Sequence, residues 1–321
     1  MGLFSKYCSP FTLNRLGIMG MNQRNVNYIG RYNKRSLYPL VDNKLLTKEL
    51  AIKNNVNTTN LIGSIKHQYD VKNITKITEG HNGFCIKPAH GSGGKGILVI
   101  VKSENNLYYK PNGQVLNASD LERHISNILA GLFSLGGKQD FALIEDLINF
   151  DDVFKGFSYE GVPDVRVIVF QGYPVMAMMR LSTAESEGKA NLHQGAVGVG
   201  LCLRTGQAIR AVQKNLPIQI HPNTNKPLNE LKVPLWNNVL KIAASCYDMS
   251  KLGYIGTDIV LDKIRGPLLL ELNARPGLAI QIANGVGLLP RLRFIESFVK
   301  KHPNLPVEER LEISKKYFGV V

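Results

Sequence analysis

Two acids and an amide are the first residues of this sequence whose types and spacing could do chemistry. They fall in residues 253–277, GYIGTDIVLDKIRGPLLLELNARPG. The apolar run Ile255–Leu261, the break Lys263-Ile264-Arg265-Gly266 and the second run Pro267–Leu272 predict a β-hairpin. With its turn centred between Ile264 and Arg265, Asp258 lies directly opposite Glu271, and opposed Cβ atoms are ~4.5–5.5 Å apart. Side chains alternate along a strand, so Asn273 shares the face of Glu271, and Ile259, Leu261, Leu268, Leu270 and Leu272 form the other face. Two carboxylates so close repel unless a cation sits between them. Acids and an amide are hard oxygen ligands, of the kind Mg²⁺ takes together with nucleotide phosphates. The face reads either as a magnesium site for ATP phosphates or as a solvated polar face on an edge hairpin.

A second feature is residues 82–101, NGFCIKPAHGSGGKGILVIV. A strand over Phe84–Lys87 runs into Gly91-Ser92-Gly93-Gly94-Lys95-Gly96, and a second strand, Ile97–Val101, follows directly. The loop matches G-x-G-x-x-G literally, but no helix follows, as a dinucleotide fold requires, and no Lys-Ser/Thr pair marks a P-loop. Strand, glycine loop and strand instead make a flap whose bare N–H groups can close over phosphates, with Lys87 adding a point charge. A glycine-rich hairpin turn without a ligand is the other reading.

Further candidates need positioning by other elements. Asp42 or Asn43 caps a helix that places Lys44 and Lys48 on one face. Residues 120–135 form a helix, and a buried strand, Phe141–Ile144, ends in Glu145. That acid needs a partner: an adenine amino group or a structural cation. Asp164–Phe170 turns at Gln171-Gly172-Tyr173-Pro174 and returns as Val175–Leu181, carrying Arg180. Residues 182–200, STAESEGKANLHQGAVGVG, are polar and bring Lys189, Asn191, His193 and Gly195 to the same region. A helix over 233–248, an amphipathic helix over 288–300 and a short helix over 306–321 follow, while Met19–Tyr38 reads as an extended or irregular arm.

Bulk properties set the frame. A chain of 321 residues can bury a good core in one large or two smaller domains. No apolar run is long enough to span a membrane, and the start lacks a secretory signal. Met1-Gly2 suggests myristoylation only superficially, because Lys6 stands where Ser or Thr is needed. Four cysteines, Cys8, Cys85, Cys202 and Cys246, form no CxxC pair, which fits a reducing cytoplasm and no structural zinc. The net charge is +14. Before residue 67 ten lysines and arginines meet only Asp42 and Glu49. Nucleotide phosphate, an acidic substrate, nucleic acid and an anionic membrane surface would all answer that charge. The absence of an RNP, zinc-finger or helix-turn-helix signature argues against nucleic acid.

Taken in order, GTDIV followed by LLLELNARPG, the flap IKPAHGSGGKG and the loop KANLHQG resemble the ATP-grasp carboxylate–amine ligases, from about Lys44 to Arg293. The likeness is closest to the alpha-L-glutamate ligase-like branch, related to enzymes that add glutamate to a ribosomal protein C-terminus. It implies an α+β, ATP-grasp fold: two α/β subdomains whose antiparallel sheets grip ATP, with the N-terminal domain truncated. The expected division is a basic arm (1–41), a subdomain with the glycine flap (42–140), a subdomain with the magnesium site (141–300) and a C-terminal helix or tail (301–321). The resemblance implies ATP and two Mg²⁺ ions, held by Asp258, Glu271 and Asn273 with Glu271 bridging. It implies nucleotide contacts at Lys44, Lys87, Gly91, Ser92, Gly93, Gly94 and Gly96, adenine near Glu145 and ribose near Asp164. Arg180 and Asn191 match positions near the transferring phosphate, Lys189 and His193 of the KANLHQG loop are expected to bind the nucleotide cofactor, and Arg275 matches a holder of the acyl phosphate or substrate carboxylate. The loop departs from the glutamate ligases, where RSNLHRGG stands, at Lys189 and over Gln194-Gly195-Ala196. The implied activity is ATP-dependent amide formation between a small-molecule or peptide carboxylate and an amine, with glutamate or a similar amino acid added. A phosphotransferase using the same site, and an anionic-partner binding protein driven by the basic arm, are the competing classes.

Overall fold

The computed structural model describes residues 8–319 apart from Ser92. Contacts divide the chain into two units. The larger comprises the described residues up to Val41, Leu50–Asn57 and the chain from Phe150 onward; the smaller comprises Asp42–Glu49 and Thr58–Asn149.

The larger unit is built on long alternating strands. Seven of them pair antiparallel in the order Leu216–Ile218, Ala208–Gln213, Val197–Leu201, Tyr173–Leu181, Asp164–Phe170, Tyr254–Asp262, Gly266–Asn273. Tyr254–Asp262 has a neighbour on each side, and all nine of its residues are buried. Val167, Val169, Ile255 and Ile259 pack in one core with Val239, Ala243 and Cys246 of the helix Trp236–Ser250. The helices Leu289–Lys301 and Val307–Phe318 add Leu292, Ile295, Leu311 and Phe318 to it.

The hairpin pairs as the turn geometry requires where chemistry is expected: Gly256 faces Asn273 and Asp258 faces Glu271. Just beyond, the register shifts so that Ile259 faces Leu269 and Val260 faces Leu268. A bulge adds one residue to one strand and reverses alternation past it. Leu269, rather than Leu268 or Leu270, therefore joins Ile259, Leu261 and Leu272 in the core. Leu268 is buried opposite Val260, on the face of Asp258, and Leu270 is half-buried. Three consecutive leucines give no sign of which one bulges.

The segment Met19–Tyr38 is not extended. Met21–Gln23, Arg24–Ile29 and Gly30–Tyr32 form successive helical turns, the middle one wide. Tyr28 and Ile29 are buried, and the Tyr28 and Tyr32 rings lie 5.6 and 4.9 Å from Phe170. Asn33 donates to Tyr254 O (2.7 Å) and accepts from Tyr254 N (2.9 Å). Asparagine and glycine are poor helix formers, so the local signal is weak and aromatic burial overrides it.

In the smaller unit four strands pair antiparallel in the order Leu61–Ile65, Ala142–Asp146, Phe84–Pro88, Leu98–Ile100. A ribbon of three short strands, Lys102–Glu104, Leu107–Tyr109 and Val115–Leu116, follows. Asn117 and Asp120 form a capping box at the start of the helix Ala118–Leu129, which is shorter than the 120–135 expected. Its Leu121, Ile125 and Ile128 repeat at helical spacing and pack with Phe84, Ile86, Ile100 and Ile144 of the sheet. Asn43 caps the helix beginning at Lys44, its Oδ1 accepting from Leu45 N at 3.0 Å.

Candidate functional site

In the smaller unit a charged cluster is built where sheet and helix meet. Glu145 sits inside the strand Ala142–Asp146 rather than beyond its end, and is 3% exposed. Cys85 is its direct partner on the next strand, so Lys87 is a diagonal neighbour on the same face. Lys87 Nζ lies 2.8 Å from Glu145 Oε2, and Thr59 Oγ1 donates to that oxygen at 2.6 Å. Lys48 Nζ lies 3.2 Å from Oε1, a charge contact without hydrogen-bond alignment, and donates to Thr59 Oγ1 at 2.6 Å and to Thr59 O. Burial pushes the Glu145 carboxyl up, but Lys87 and Lys48 outweigh it and hold the group below its ordinary range. Of the two partners left open for Glu145, the structure displays the cation, twice.

The glycine loop leaves from the same strand as Lys87. Phe84 pairs with Ile100 and Ile86 with Leu98, so strand, loop and strand form a hairpin as expected. Its roots are tied down. Asp140 accepts from His90 N (3.0 Å), His90 Nδ1 (2.8 Å), Phe141 N (2.8 Å) and Ser134 Oγ (2.7 Å). Burial alone would raise the Asp140 carboxyl; the bonds from Ser134 and His90 bring it below its usual range. Lys44 Nζ donates to Gly91 O at 2.5 Å, placing that lysine at the loop. A Cβ on Gly91 would meet Pro88 Cγ at 2.3 Å, and one on Gly96 would meet Phe133 Cγ at 2.5 Å. Gly93 and Gly94, at φ +65° and +73°, have nothing within 4 Å. Two glycines thus serve internal packing, while two leave bare backbone at an open tip. Ser92 lies outside the described residues.

In the larger unit the register stacks charges across four strands. Arg180 faces Asp164, Arg166 faces Asp258, and Asp258 faces Glu271. Arg166 forks onto Asp258, Nε to Oδ1 at 2.6 Å and Nη2 to Oδ2 at 2.5 Å. Arg180 forks onto Asp164 at 2.5 Å through both nitrogens and reaches Asp258 Oδ2 at 2.8 Å. Asn273 Nδ2 donates to the same Oδ2 at 3.3 Å. Burial opposes ionisation of Asp258, but Arg166 and Arg180 hold its carboxyl well below the usual range. For Asp164, burial and the like charge of Asp258 outweigh Arg180 and raise the carboxyl, so it takes a proton before Asp258 as the pH falls. Arg180 is held charged by both acids.

The remaining expected residues are placed elsewhere in this unit. Asn191 Oδ1 caps a short turn by accepting from His193 N at 3.0 Å, Lys189 pairs with Glu187 at 2.9 Å, and His193 is exposed. Among the described residues no hydrogen bond or ion pair joins these three to the arginine–aspartate ladder. Arg275 is exposed, with its guanidinium over the Tyr38 ring at 5.6 Å. Asp164, expected near a ribose, holds Arg180. Sequence reasoning missed Lys48, Thr59, Asp140 and Arg166 as parts of these clusters. The helical spacing from Lys44 pointed to Lys48; nothing local pointed to the others.

The donor set fits a magnesium ion in kind. Asp258, Glu271 and Asn273 are hard donors on one face, and Glu271 is half-buried rather than sealed. Asp258 would exchange a guanidinium contact for such an ion. Among the described residues no group of three His, Cys, Asp or Glu side chains is arranged to hold a metal; this set holds two carboxylates and an amide.

The antiparallel sheets, the strand–glycine loop–strand hairpin and the acid–amide hairpin make this an α+β protein of the ATP-grasp fold. The sequence model of the sugar-transfer associated ATP-grasp family matches residues 23–297, and the chain belongs to that family. No curated protein matches the sequence. Solved structures with a similar fold include the ATP-grasp ligase PsnB complexed with minimal precursor (14% identity, 84% of this chain and 64% of that one, TM-score 0.45). A D-alanine–D-alanine ligase from Bacillus anthracis complexed with ATP is another (15%, 92% and 76%, 0.47). A third is a RiPP-associated ATP-grasp ligase from Chryseobacterium gregarium with ADP and a leader and core peptide (13%, 94% and 74%, 0.46). The chain spans 64% of the length of the first of these. Among the described residues no helix is long and apolar enough to cross a membrane.

Proposed function

We propose that this chain is an ATP-dependent carboxylate–amine ligase. A substrate carboxylate oxygen attacks the γ-phosphorus of ATP, the bond to the β–γ bridging oxygen breaks, and ADP leaves. An amine then attacks the acyl carbon, phosphate departs with the C–O electron pair, and the amine proton is lost, leaving an amide. The observation that carries this reading is Asp258 opposite Glu271, with Asn273 on the same face and Arg180 bonded to Asp258. Family membership supports it.

In this reading Asp258, Glu271 and Asn273 would hold magnesium, with two ions as the number we assign, and its chemistry there would be neutralisation of phosphate charge. Lys44, Lys87 and the loop of Gly91, Gly93, Gly94 and Gly96 take the nucleotide phosphates, and Lys48 joins them. Glu145 belongs to the nucleotide end and acts by holding the Lys87 and Lys48 ammonium groups in place. Arg180, kept ionised and aimed by Asp164, meets the charge that develops on the transferring phosphoryl group. Asn191 is assigned with Arg180 to the transferring phosphoryl group, Lys189 and His193 to the nucleotide, and Arg275 to the acyl phosphate or substrate carboxylate. A closed glycine loop protects the acyl phosphate from water.

Glutamate or a similar amino acid is the amine we propose, on the likeness of KANLHQG to the glutamate ligases. The family's association with sugar transfer adds sugar-borne carboxylates to the acceptors worth screening. Glu271→Gln should abolish ADP formation while the protein stays folded, and Asp258→Asn should abolish it as well but also destabilise the protein, because Arg166 and Arg180 lose a buried counter-charge; normal turnover in either would remove the metal assignment. Hydroxylamine added during turnover should trap a hydroxamate. ADP release without hydroxamate would favour phosphate transfer to a hydroxyl.

A further inference from the structure

The ligase reading leaves the first forty-odd residues unused. They are odd in two ways at once. Residues 1–41 contain Lys6, Arg15, Arg24, Arg31, Lys34 and Arg35 and no Asp or Glu. The same segment turns large apolar side chains to solvent: Phe11 is 87% exposed, Val26 70%, Met21 64% and Leu16 56%. Tyr28, Ile29 and Met19 of that segment are buried, so the segment is packed and the outward apolar groups are a second set.

The segment is fastened to the larger unit beside another exposed apolar pair. Leu289 N donates to Gly17 O at 3.1 Å, and Met19 N donates to Gln281 Oε1 at 2.8 Å. A Cβ on Gly287 would lie 2.1 Å from Gly17 O and 2.4 Å from Leu16 O, so these backbones touch. Val286, next to Gly287 in the chain, and Ile282, of the helix Ala279–Asn284 that also carries Gln281, are both exposed. Exposed Arg15 and Arg293 belong to the two joined segments. Arg31, 64% exposed at its side chain, pairs at 3.7 Å with Glu296, an acid on the helix Leu289–Lys301.

We infer that this face docks on an anionic lipid bilayer. Exposed leucine, phenylalanine and methionine gain by entering the interfacial region, and the surrounding arginines gain from anionic headgroups. Nucleic acid would engage the cations but leave Phe11, Met21 and Val26 in water. Exposed apolar side chains interspersed along the sequence with cations, and no acid in the first 41 residues, suit a surface that is itself apolar beneath an anionic skin. Docking would hold the protein at a membrane without any crossing helix, and it stands independently of the ligase reading.

The test is cosedimentation of the full chain with phosphatidylcholine vesicles, with and without phosphatidylglycerol. The chain should pellet with phosphatidylglycerol vesicles and stay in solution with phosphatidylcholine alone. Phe11→Ser/Leu16→Ser/Met21→Ser should weaken binding by roughly tenfold or more with an unchanged thermal melt, because these groups are exposed. Arg15→Gln and Arg293→Gln should each weaken it roughly five-fold. Failure to pellet with phosphatidylglycerol vesicles would overturn the proposal. So would binding indifferent to the apolar triple substitution, or full displacement from vesicles by a single-stranded oligonucleotide that binds wild type and the triple variant equally.

Discussion

Removing the charge of Glu145 tests how the smaller unit is held together. Its carboxylate is 3% exposed and faces two lysines that are themselves 4% and 6% exposed. Glu145→Gln keeps the shape and an acceptor for Thr59 but takes a buried counter-charge away from two buried ammonium groups. Breaking a buried pair by removing one partner costs ~3–5 kcal/mol. At tenfold per ~1.4 kcal/mol, local opening should rise by about two to three and a half powers of ten. Hydrogen exchange in Phe84–Pro88 and Ala142–Asp146 at pH 7 reads this directly. The pH dependence carries a sign. The folded carboxyl lies below its ordinary 4.5, so its contribution is complete above that value and is lost as the pH falls through the lower folded value. The gap between wild type and variant should therefore be full at pH 7 and close in acid. Lys48→Met/Lys87→Met/Glu145→Leu should recover most of the stability, since well-packed apolar groups often replace a buried ion cluster without loss, and should bind no nucleotide. A Glu145→Gln variant with unchanged exchange at pH 7, or a deficit that persists undiminished at pH 3, would refute the charge argument.

Other outcomes follow from single contacts. Gly96→Ala combines a positive φ with an overlap on Phe133 and should cost ~2–3 kcal/mol in urea unfolding, whereas Gly94→Ala, in open space, should cost only ~1 kcal/mol. Asp140→Asn removes the charge from a carboxylate that ties His90, Ser134 and Phe141, and should cost ~2–3 kcal/mol and speed proteolysis within residues 89–97. Arg166→Met takes away the larger of the two influences that depress Asp258. The stability that carboxylate lends above its ordinary 3.8, lost as the pH falls toward about 2, should then be lost at higher pH, seen as an acid-unfolding midpoint moved upward.

Much of the candidate site is written locally. The turn between two apolar runs placed Asp258 opposite Glu271 and Asn273 beside it, because alternation along a strand depends only on neighbouring residues. The strand–glycine loop–strand hairpin was legible for the same reason. Three things were decided only by tertiary structure. Which of three adjacent leucines bulges depends on the core they meet, since the residues are identical. That Glu145 is answered by Lys48 and Lys87, and that Arg166 and Arg180 fork onto Asp258 and Asp164, follows from strand order and the seating of a helix; partners distant in sequence leave no local trace. The helical turns between Met21 and Tyr32 run against weak intrinsic propensity and form because Tyr28, Ile29 and Tyr32 find Phe170 and the rest of the core, a long-range burial that no short window of residues encodes.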